Sequence, residues 1–163
     1  MKQNKMFLLA MMLIPWLSLP LLGRRALKRF YPGALFIFVW VLFESFFAKK
    51  RLWWRFYEKL IPGVHGEIPF MFGPFFVGSL WILKFTFGNF FRYLLLNFIL
   101  DTLFAFPGMI ALRRMGIVSL VSMKHYQMGL LFFIKSVIMY GFQNMIEKMR
   151  KKPKSLIRKI FTR

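Results

Sequence analysis

The sequence lacks cysteine and has very few acidic residues, and both absences narrow what the protein can do. With no cysteine among 163 residues, disulfides, thiol catalysis, thiolate metal sites and cysteine-linked lipid anchors are excluded. Asp and Glu number 5 against 25 Lys and Arg, for a formal net charge of +20. No acid pair at phosphotransfer or protease spacing, Gly-rich phosphate loop or nucleophile elbow occurs. We therefore expect a protein that is not an enzyme and needs no cofactor or metal ion.

Long apolar runs dominate what the sequence does contain. Hydrophobic residues make up 58% of the chain and aromatic residues 20%, more than soluble domains of this size carry. Basic residues fall mostly between or after the apolar runs, as they do in membrane proteins. A nucleic-acid binder would also be basic, but no soluble fold remains once the apolar runs are assigned to a membrane. The sequence predicts an all-α, polytopic helical membrane bundle whose partner is lipid and not nucleic acid.

Five apolar runs are predicted to cross the bilayer, which requires about 17 or more residues each. The first follows Lys2 and Lys5, as in a secretory signal, but no pair of small residues near Ser18 offers a cleavage site, so we expect it to be retained. Pro15 and Pro20 predict a kink in it. The predicted spans are 6–22, 31–47, 68–87, 90–112 and 128–145, within a membrane domain of residues 1–147.

Three segments are predicted to lie outside the lipid core. Residues 49–60 alternate aromatic and basic side chains at helical spacing, which predicts an interfacial amphipathic helix lying flat on the membrane. Residues 116–127 contain too short an apolar run to cross and are expected at the surface. Residues 148–163 predict a basic amphipathic tail attracted to anionic headgroups, although a solvated tail that only fixes topology explains the pattern equally well. The predicted headgroup-binding residues are Lys151, Lys152, Lys154, Arg158 and Lys159.

The distribution of basic residues predicts the orientation. Five spans place the two termini on opposite faces of the membrane. A C-terminus in the cytoplasm puts 14 Lys and Arg inside and 10 outside, in the sense of the positive-inside rule. The basic residues of segment 49–60 argue the other way. We expect a multi-pass protein of the cytoplasmic membrane with its N-terminus outside and its C-terminus in the cytoplasm.

Two opposite charges are predicted near mid-membrane, Asp101 in the fourth span and Lys135 in the fifth. A lone charge there costs roughly 2.5 to 3.5 kcal/mol, so we expect the two to form an ion pair. Asn97 lies one turn from Asp101, and Ser136 and Tyr140 follow Lys135, which together predict a polar seam inside the bundle. Glu44 and Lys84 lie nearer helix ends and are expected to reach out of the lipid core.

The seam allows two functions. It serves as a proton or ion relay in a small carrier or channel, or it fixes helix register in a structural or regulatory component that contacts other membrane proteins or copies of itself. The structural interpretation is favoured, because transport sites usually gather more than one acid.

A second group of polar residues lies in the loops: His65, Glu67 and His125. A metal or acid/base site acting on lipid headgroups would use such side chains. Two histidines and one carboxylate in separate loops also occur often by chance, so the signal is weak.

Residues 68–88 read IPFMFGPFFVGSLWILKFTFG and are followed by Tyr93, Asn97, Asp101 and Pro107. In these residues the chain resembles a family of small uncharacterised multi-span membrane proteins of Gram-positive spore-forming bacteria. The resemblance implies a helical membrane protein of the same length class and no particular activity. The tail and first loop of this sequence are more basic than the resemblance leads us to expect.

Overall fold

The computed structural model describes residues 2–60 and 65–161, with side chains from 3 to 60 and from 65 to 151. Eight α-helical segments, two π-helical turns and two short strands follow one another along these residues. In chain order they are α1 (Lys2–Leu17), α2 (Leu19–Leu22), α3 (Arg24–Arg51), β1 (Trp54–Phe56), α4 (Ile68–Phe70), a first π-helical turn (Met71–Phe75), α5 (Phe76–Thr86), α6 (Phe90–Leu103), a second π-helical turn (Phe104–Gly108), α7 (Met109–Arg114), β2 (Val118–Leu120) and α8 (His125–Phe161).

The predicted helical architecture is confirmed. Within the described residues, five helices are long and apolar enough to cross a membrane: Gln3–Leu22, Arg24–Arg51, Ile68–Thr86, Phe90–Arg114 and His125–Lys151. The last of them continues through residue 147 without a break as part of α8. Length and apolarity make these helices able to cross a bilayer, and insertion itself stays a prediction.

The second long helix begins earlier than predicted. The second span was predicted as residues 31–47, but residues 24–30 already form the first two turns of α3. Gly23 adopts a φ of 82°, a conformation that glycine reaches without strain, and the chain therefore reverses over a single residue. As a consequence Pro32 lies inside α3 rather than at its start.

Four of the long helices form a closed ring. Helix α3 packs against α5 and α8, and α6 packs against the same two helices from the other side. The helix that contains α5 has more of its residues buried than the other four. The first helix lies outside the ring against α4 and the first π-helical turn. The interior of the ring is therefore lined by α3, α5, α6 and α8.

Prolines bend two of the ring helices without ending them. Pro74 and Pro107 each lie in a π-helical turn, which accommodates the missing N–H and the bulk of the ring. Gly73, in the first of these turns, lies so close to α1 that a Cβ at this position would collide with the carbonyl oxygen of Met11. In a regular helix that oxygen would accept a hydrogen bond from the N–H of residue 15, but Pro15 has no N–H. The close approach holds the first helix against the ring.

The prediction of an interfacial helix over residues 49–60 is wrong. Helix α3 ends at Arg51, Leu52 takes a left-handed conformation, and β1 pairs with β2 in antiparallel register with Trp54 opposite Leu120. The aromatic residues of β1 favour a strand, and pairing with β2 satisfies backbone groups of both segments.

Residues 116–127 are likewise more than a surface segment. Ile117 and Val118 are buried, with exposed fractions of 0% and 2%, and they pack into the core cluster that includes Leu8 and Phe70. The two strands thus close one end of the ring, which we call the sheet end. The opposite end, towards which α8 runs, is called the tail end.

The described chain begins at one end of the bundle and leads out at the other. Asn4 donates a hydrogen bond to the carbonyl oxygen of Met115 at the sheet end (2.8 Å). Lys84 donates to the carbonyl oxygen of Leu21 at the tail end (3.0 Å). The first helix therefore starts beside the strands, whereas α8 starts there and leads away from them.

Candidate functional site

A buried ion pair joins α3 and α8 inside the ring. Nζ of Lys135 donates to Oε2 of Glu44 at 2.7 Å, and the two side chains are only 6% and 7% exposed. The predicted ion pair between Lys135 and Asp101 is therefore wrong, and so is the expectation that Glu44 reaches out of the bundle. Nζ also lies 4.2 Å from the centre of the Phe132 ring, where the ring face attracts a cation.

Helix direction explains why Lys135 meets Glu44 and not Asp101. Side chains lean towards the N-terminus of their helix, so Lys135 leans towards the sheet end, whereas Glu44 and Asp101 lean away from it. At 1.5 Å per residue, Glu44 lies about 10 Å from the sheet end, Lys135 about 15 Å and Asp101 about 20 Å. Glu44 and Lys135 therefore lean towards each other, and Lys135 and Asp101 lean apart.

Three cavities are lined by Lys135, and two of them are also lined by an acid other than Glu44. The larger of these two, of about 350 Å³, lies between the four ring helices and is lined by both Asp101 and Lys135. The smaller, of about 40 Å³, lies towards the sheet end and is lined by Glu44, Glu67 and Lys135. Phe75, Phe104 and Phe132 border both. Lys135 thus contacts one carboxylate directly and shares each of these two cavities with a further carboxylate.

Three of the chain's five acids therefore gather around one lysine. We call Lys135, Glu44, Glu67 and Asp101 the Lys135 cluster. Among the side chains that the structure describes, 3–60 and 65–151, no hydrogen-bond partner is present for Oε1 of Glu44, Oε2 of Glu67 or Oδ2 of Asp101. Buried polar atoms are normally hydrogen-bonded. Each acid in the cluster thus keeps one oxygen free to bind a proton or a water molecule.

The remaining residues of the predicted seam lie together between α6 and α8. Asn97 donates to the carbonyl oxygen of Tyr93 (2.8 Å), and the Tyr93 hydroxyl donates to the carbonyl oxygen of Ser136 (2.8 Å). The ring of Tyr140 packs against that of Tyr93 at 4.8 Å between centres. Asn97 and Ser136 also line the larger cavity with Asp101. The seam exists, but its hydrogen bonds run through backbone carbonyls.

The loop residues do not form one site. The Trp54 indole N–H donates to Oε1 of Glu67 at 2.5 Å, and burial raises the pKa of Glu67 above its ordinary value although this hydrogen bond opposes the shift. The His65 ring packs edge-on against Phe46, and Nδ1 of His125 lies 2.6 Å from the carbonyl oxygen of Ala105. Among the described residues, no three His, Cys, Asp or Glu side chains are arranged to hold a metal ion. Glu67 belongs instead to the Lys135 cluster.

Gln143 is a buried polar residue that was not predicted from the sequence. It has no exposed surface; its Oε1 accepts from the Gly33 N–H (3.1 Å) and its Nε2 donates to the carbonyl oxygen of Arg29 (3.0 Å). These are the backbone groups next to the break that Pro32 makes in α3. Arg29 also binds Glu147 at 2.7 Å. The sequence signal that could have identified it is a glutamine inside an apolar span, where a polar side chain needs a hydrogen-bond partner.

The basic tail is described only in part. Lys151 is exposed on α8. The side chains of Lys152, Lys154, Arg158 and Lys159, which complete the predicted headgroup-binding set, lie outside those that the structure describes.

Comparisons with protein families, with curated proteins and with solved structures find no match to this chain. Function is therefore argued from the site, because function lies in the arrangement of particular groups and not in the fold. The distinctive arrangement here is the Lys135 cluster with its two cavities.

Proposed function

We propose that this chain is a multi-pass protein of the bacterial cytoplasmic membrane, with its N-terminus outside and its C-terminus in the cytoplasm. Five helices of sufficient length and apolarity support insertion. Large apolar side chains on the outside of the bundle, such as Phe91 (81% exposed) and Leu17 (78%), are suited to lipid and unfavourable in water. Assigned by sequence position, 14 Lys and Arg residues belong to the segments of the tail end and 10 to those of the sheet end, which favours a cytoplasmic tail end.

Within that membrane, the protein acts as a small proton-coupled carrier, and the Lys135 cluster is its proton-binding site. The observation that carries this proposal is the gathering of three acids, each with a free oxygen, around one buried lysine. Fixing helix register needs one acid for one lysine. Two further buried carboxylates add desolvation cost, and ionisable groups at membrane depth mark proton and ion pathways.

The arrangement suits reversible proton binding. Glu44 and Lys135 compensate each other's charge at 2.7 Å, so neither must leave the bundle to avoid an isolated charge. Asp101 borders the larger cavity without a direct cationic partner, so proton uptake on a carboxylate oxygen removes the cost of its buried charge. The same cavity of about 350 Å³ provides room for water or for a small co-transported solute beside that carboxyl group.

Proton flux into liposomes tests the proposal. The purified protein is reconstituted with a pH-sensitive dye inside, and a potassium gradient with valinomycin drives protons inwards. We expect wild-type flux well above that of protein-free liposomes, and its loss in Asp101→Asn with the folded yield retained. Glu58→Gln, which removes an acid of the sheet end outside the cluster, is the matched control and keeps full flux. Wild-type liposomes without flux contradict the proposal.

A non-enzymatic structural or regulatory role is the second candidate. It is favoured by the two buried connections between α3 and α8, namely the Glu44–Lys135 pair and the Gln143 contacts with the α3 backbone. In this role the cluster fixes helix register and partners are other membrane proteins, copies of the chain or anionic lipid. It predicts no flux, and an Asp101→Asn variant with lower folded yield in detergent. The carrier predicts a folded and inactive variant.

A further inference from the structure

The smaller cavity connects the Lys135 cluster to the sheet end. Its volume is about 40 Å³, and a cavity must exceed about 10 to 15 Å³ before it can hold a water molecule. There is thus room for at least one. Apolar side chains form most of the cavity wall, and its charged lining residues are Glu44, Glu67 and Lys135. A buried water needs two to four polar partners, and the free Oε1 of Glu44, the free Oε2 of Glu67 and Nζ of Lys135 are the groups that can supply them.

Glu67 stands between this cavity and the outside of the bundle. It immediately precedes α4 and is half-buried, so it borders both the cavity and the exterior at the sheet end. Trp54 holds one of its oxygens through the indole N–H. The pairing of β1 with β2 fixes Trp54 in place, and Phe56 completes the wall on the strand side. The strands therefore orient Glu67 with its second oxygen unbound.

We propose that Glu67 is the residue through which protons enter the Lys135 cluster from the sheet end, with water in the smaller cavity as the link. This inference rests on the proposed carrier function. The Glu67 carboxylate takes a proton from external water, and the protonated group gives it to cavity water. That water releases one of its own protons to Oε1 of Glu44, so one proton moves inwards and both Glu67 and the water are restored.

Charge around Glu67 is suited to such a transfer. The titratable groups that act on it across the cavity are Glu44, which opposes its ionisation, and Lys135, which favours it. A proton on Glu67 is therefore stabilised by burial and by Glu44, and its release is assisted by Lys135. Asp101, across the larger cavity, is the next acceptor towards the tail end.

Flux in liposomes with a defined protein orientation tests the entry role. With the sheet end facing the acidic side, Glu67→Gln is expected to lower proton flux at least tenfold, because the amide fills the same space and accepts from Trp54 but cannot carry a proton. Trp54→Phe keeps an aromatic ring and the carboxyl group, so flux persists with a shifted pH dependence. Glu58→Gln serves again as the control. If the wild type conducts protons and Glu67→Gln conducts equally well, the entry role is overturned and the carrier proposal stands. If the wild type shows no flux, both are overturned.

A labelling experiment tests the position of Glu67 independently of flux. Because the chain contains no cysteine, Glu67→Cys provides a single thiol. A membrane-impermeant thiol reagent is expected to label it when added on the sheet side and not on the tail side. Leu95→Cys, on the lipid-facing surface of α6, is the control that stays unlabelled from both sides. A thiol at position 67 that is unreactive from the sheet side contradicts the inference.

Discussion

Replacing both members of the buried ion pair with methionine tests the pair most sharply. Methionine approximates the length of Lys135 and of Glu44 without their charge. Removing one partner of a buried pair costs about 3 to 5 kcal/mol, whereas replacing both with apolar residues is often neutral or stabilising. The two single variants and the double variant, Glu44→Met/Lys135→Met, therefore form a cycle that isolates the interaction.

The structure predicts unequal single effects. Lys135→Met leaves three carboxyl groups without their cation, so we expect a loss of about 3 kcal/mol. Glu44→Met leaves Lys135 with Asp101 and Glu67 across the cavities, and the loss falls to about 2 kcal/mol because the charge remains partly compensated. The double variant is expected within about 1 kcal/mol of wild type. The coupling energy is then about 4 to 6 kcal/mol.

Thermal unfolding in detergent, followed by tryptophan fluorescence, measures these differences. For a chain of this size about 1 kcal/mol corresponds to about 2 to 4 °C in Tm, so Lys135→Met lowers Tm by about 6 to 12 °C. Single variants that each stay within about 1 °C of wild type, together with an additive double variant, refute the pairing of Lys135 with Glu44.

Three further predictions concern the cavity, the proline break and pH. Gly78→Leu places a side chain where a Cβ meets no neighbour within 4 Å and the larger cavity begins, so Tm stays at or above the wild-type value while liposome flux is lost. Gln143→Leu leaves the N–H of Gly33 unpaired at about 1 to 3 kcal/mol, while the Arg29 carbonyl oxygen keeps its hydrogen bond from Arg150; Tm therefore falls, whereas Glu58→Gln leaves it unchanged. Burial raises the pKa of Glu67 in the folded state. The free energy of unfolding therefore falls as the pH rises from the ordinary pKa of Glu through the raised pKa. Glu67→Gln is expected to flatten the plot of Tm against pH over that range.

The helical architecture was predictable because length and apolarity decide whether a helix crosses lipid. The strands were not, because β1 and β2 have three residues each and their partners lie far apart in the sequence. Aromatic residues at helical spacing in segment 49–60 suggested a helix, but long-range pairing with β2 makes part of this segment a strand. The early start of α3 depended on one residue, Gly23, with a positive φ.

The sequence predicted two of the residues that form the site, but it did not predict which of them pair. Asp101 and Lys135 were recognised from charge at membrane depth, and both line the larger cavity. The partner of Lys135 was misassigned because depth alone ignores the direction in which side chains lean along antiparallel helices. Glu67 was grouped with two histidines, and only the three-dimensional arrangement assigns it to the Lys135 cluster. That assignment supplies the additional acids whose absence had favoured a structural role.

The central claim is that the chain crosses lipid five times and so holds the Lys135 cluster inside the membrane. Single thiols at the two ends of the bundle, Lys5→Cys and Lys151→Cys, measure this most directly in the cysteine-free chain. We predict that a membrane-impermeant reagent labels Lys5→Cys in intact cells, and labels Lys151→Cys only after the membrane is inverted or opened. Labelling of both positions from the same side contradicts the account.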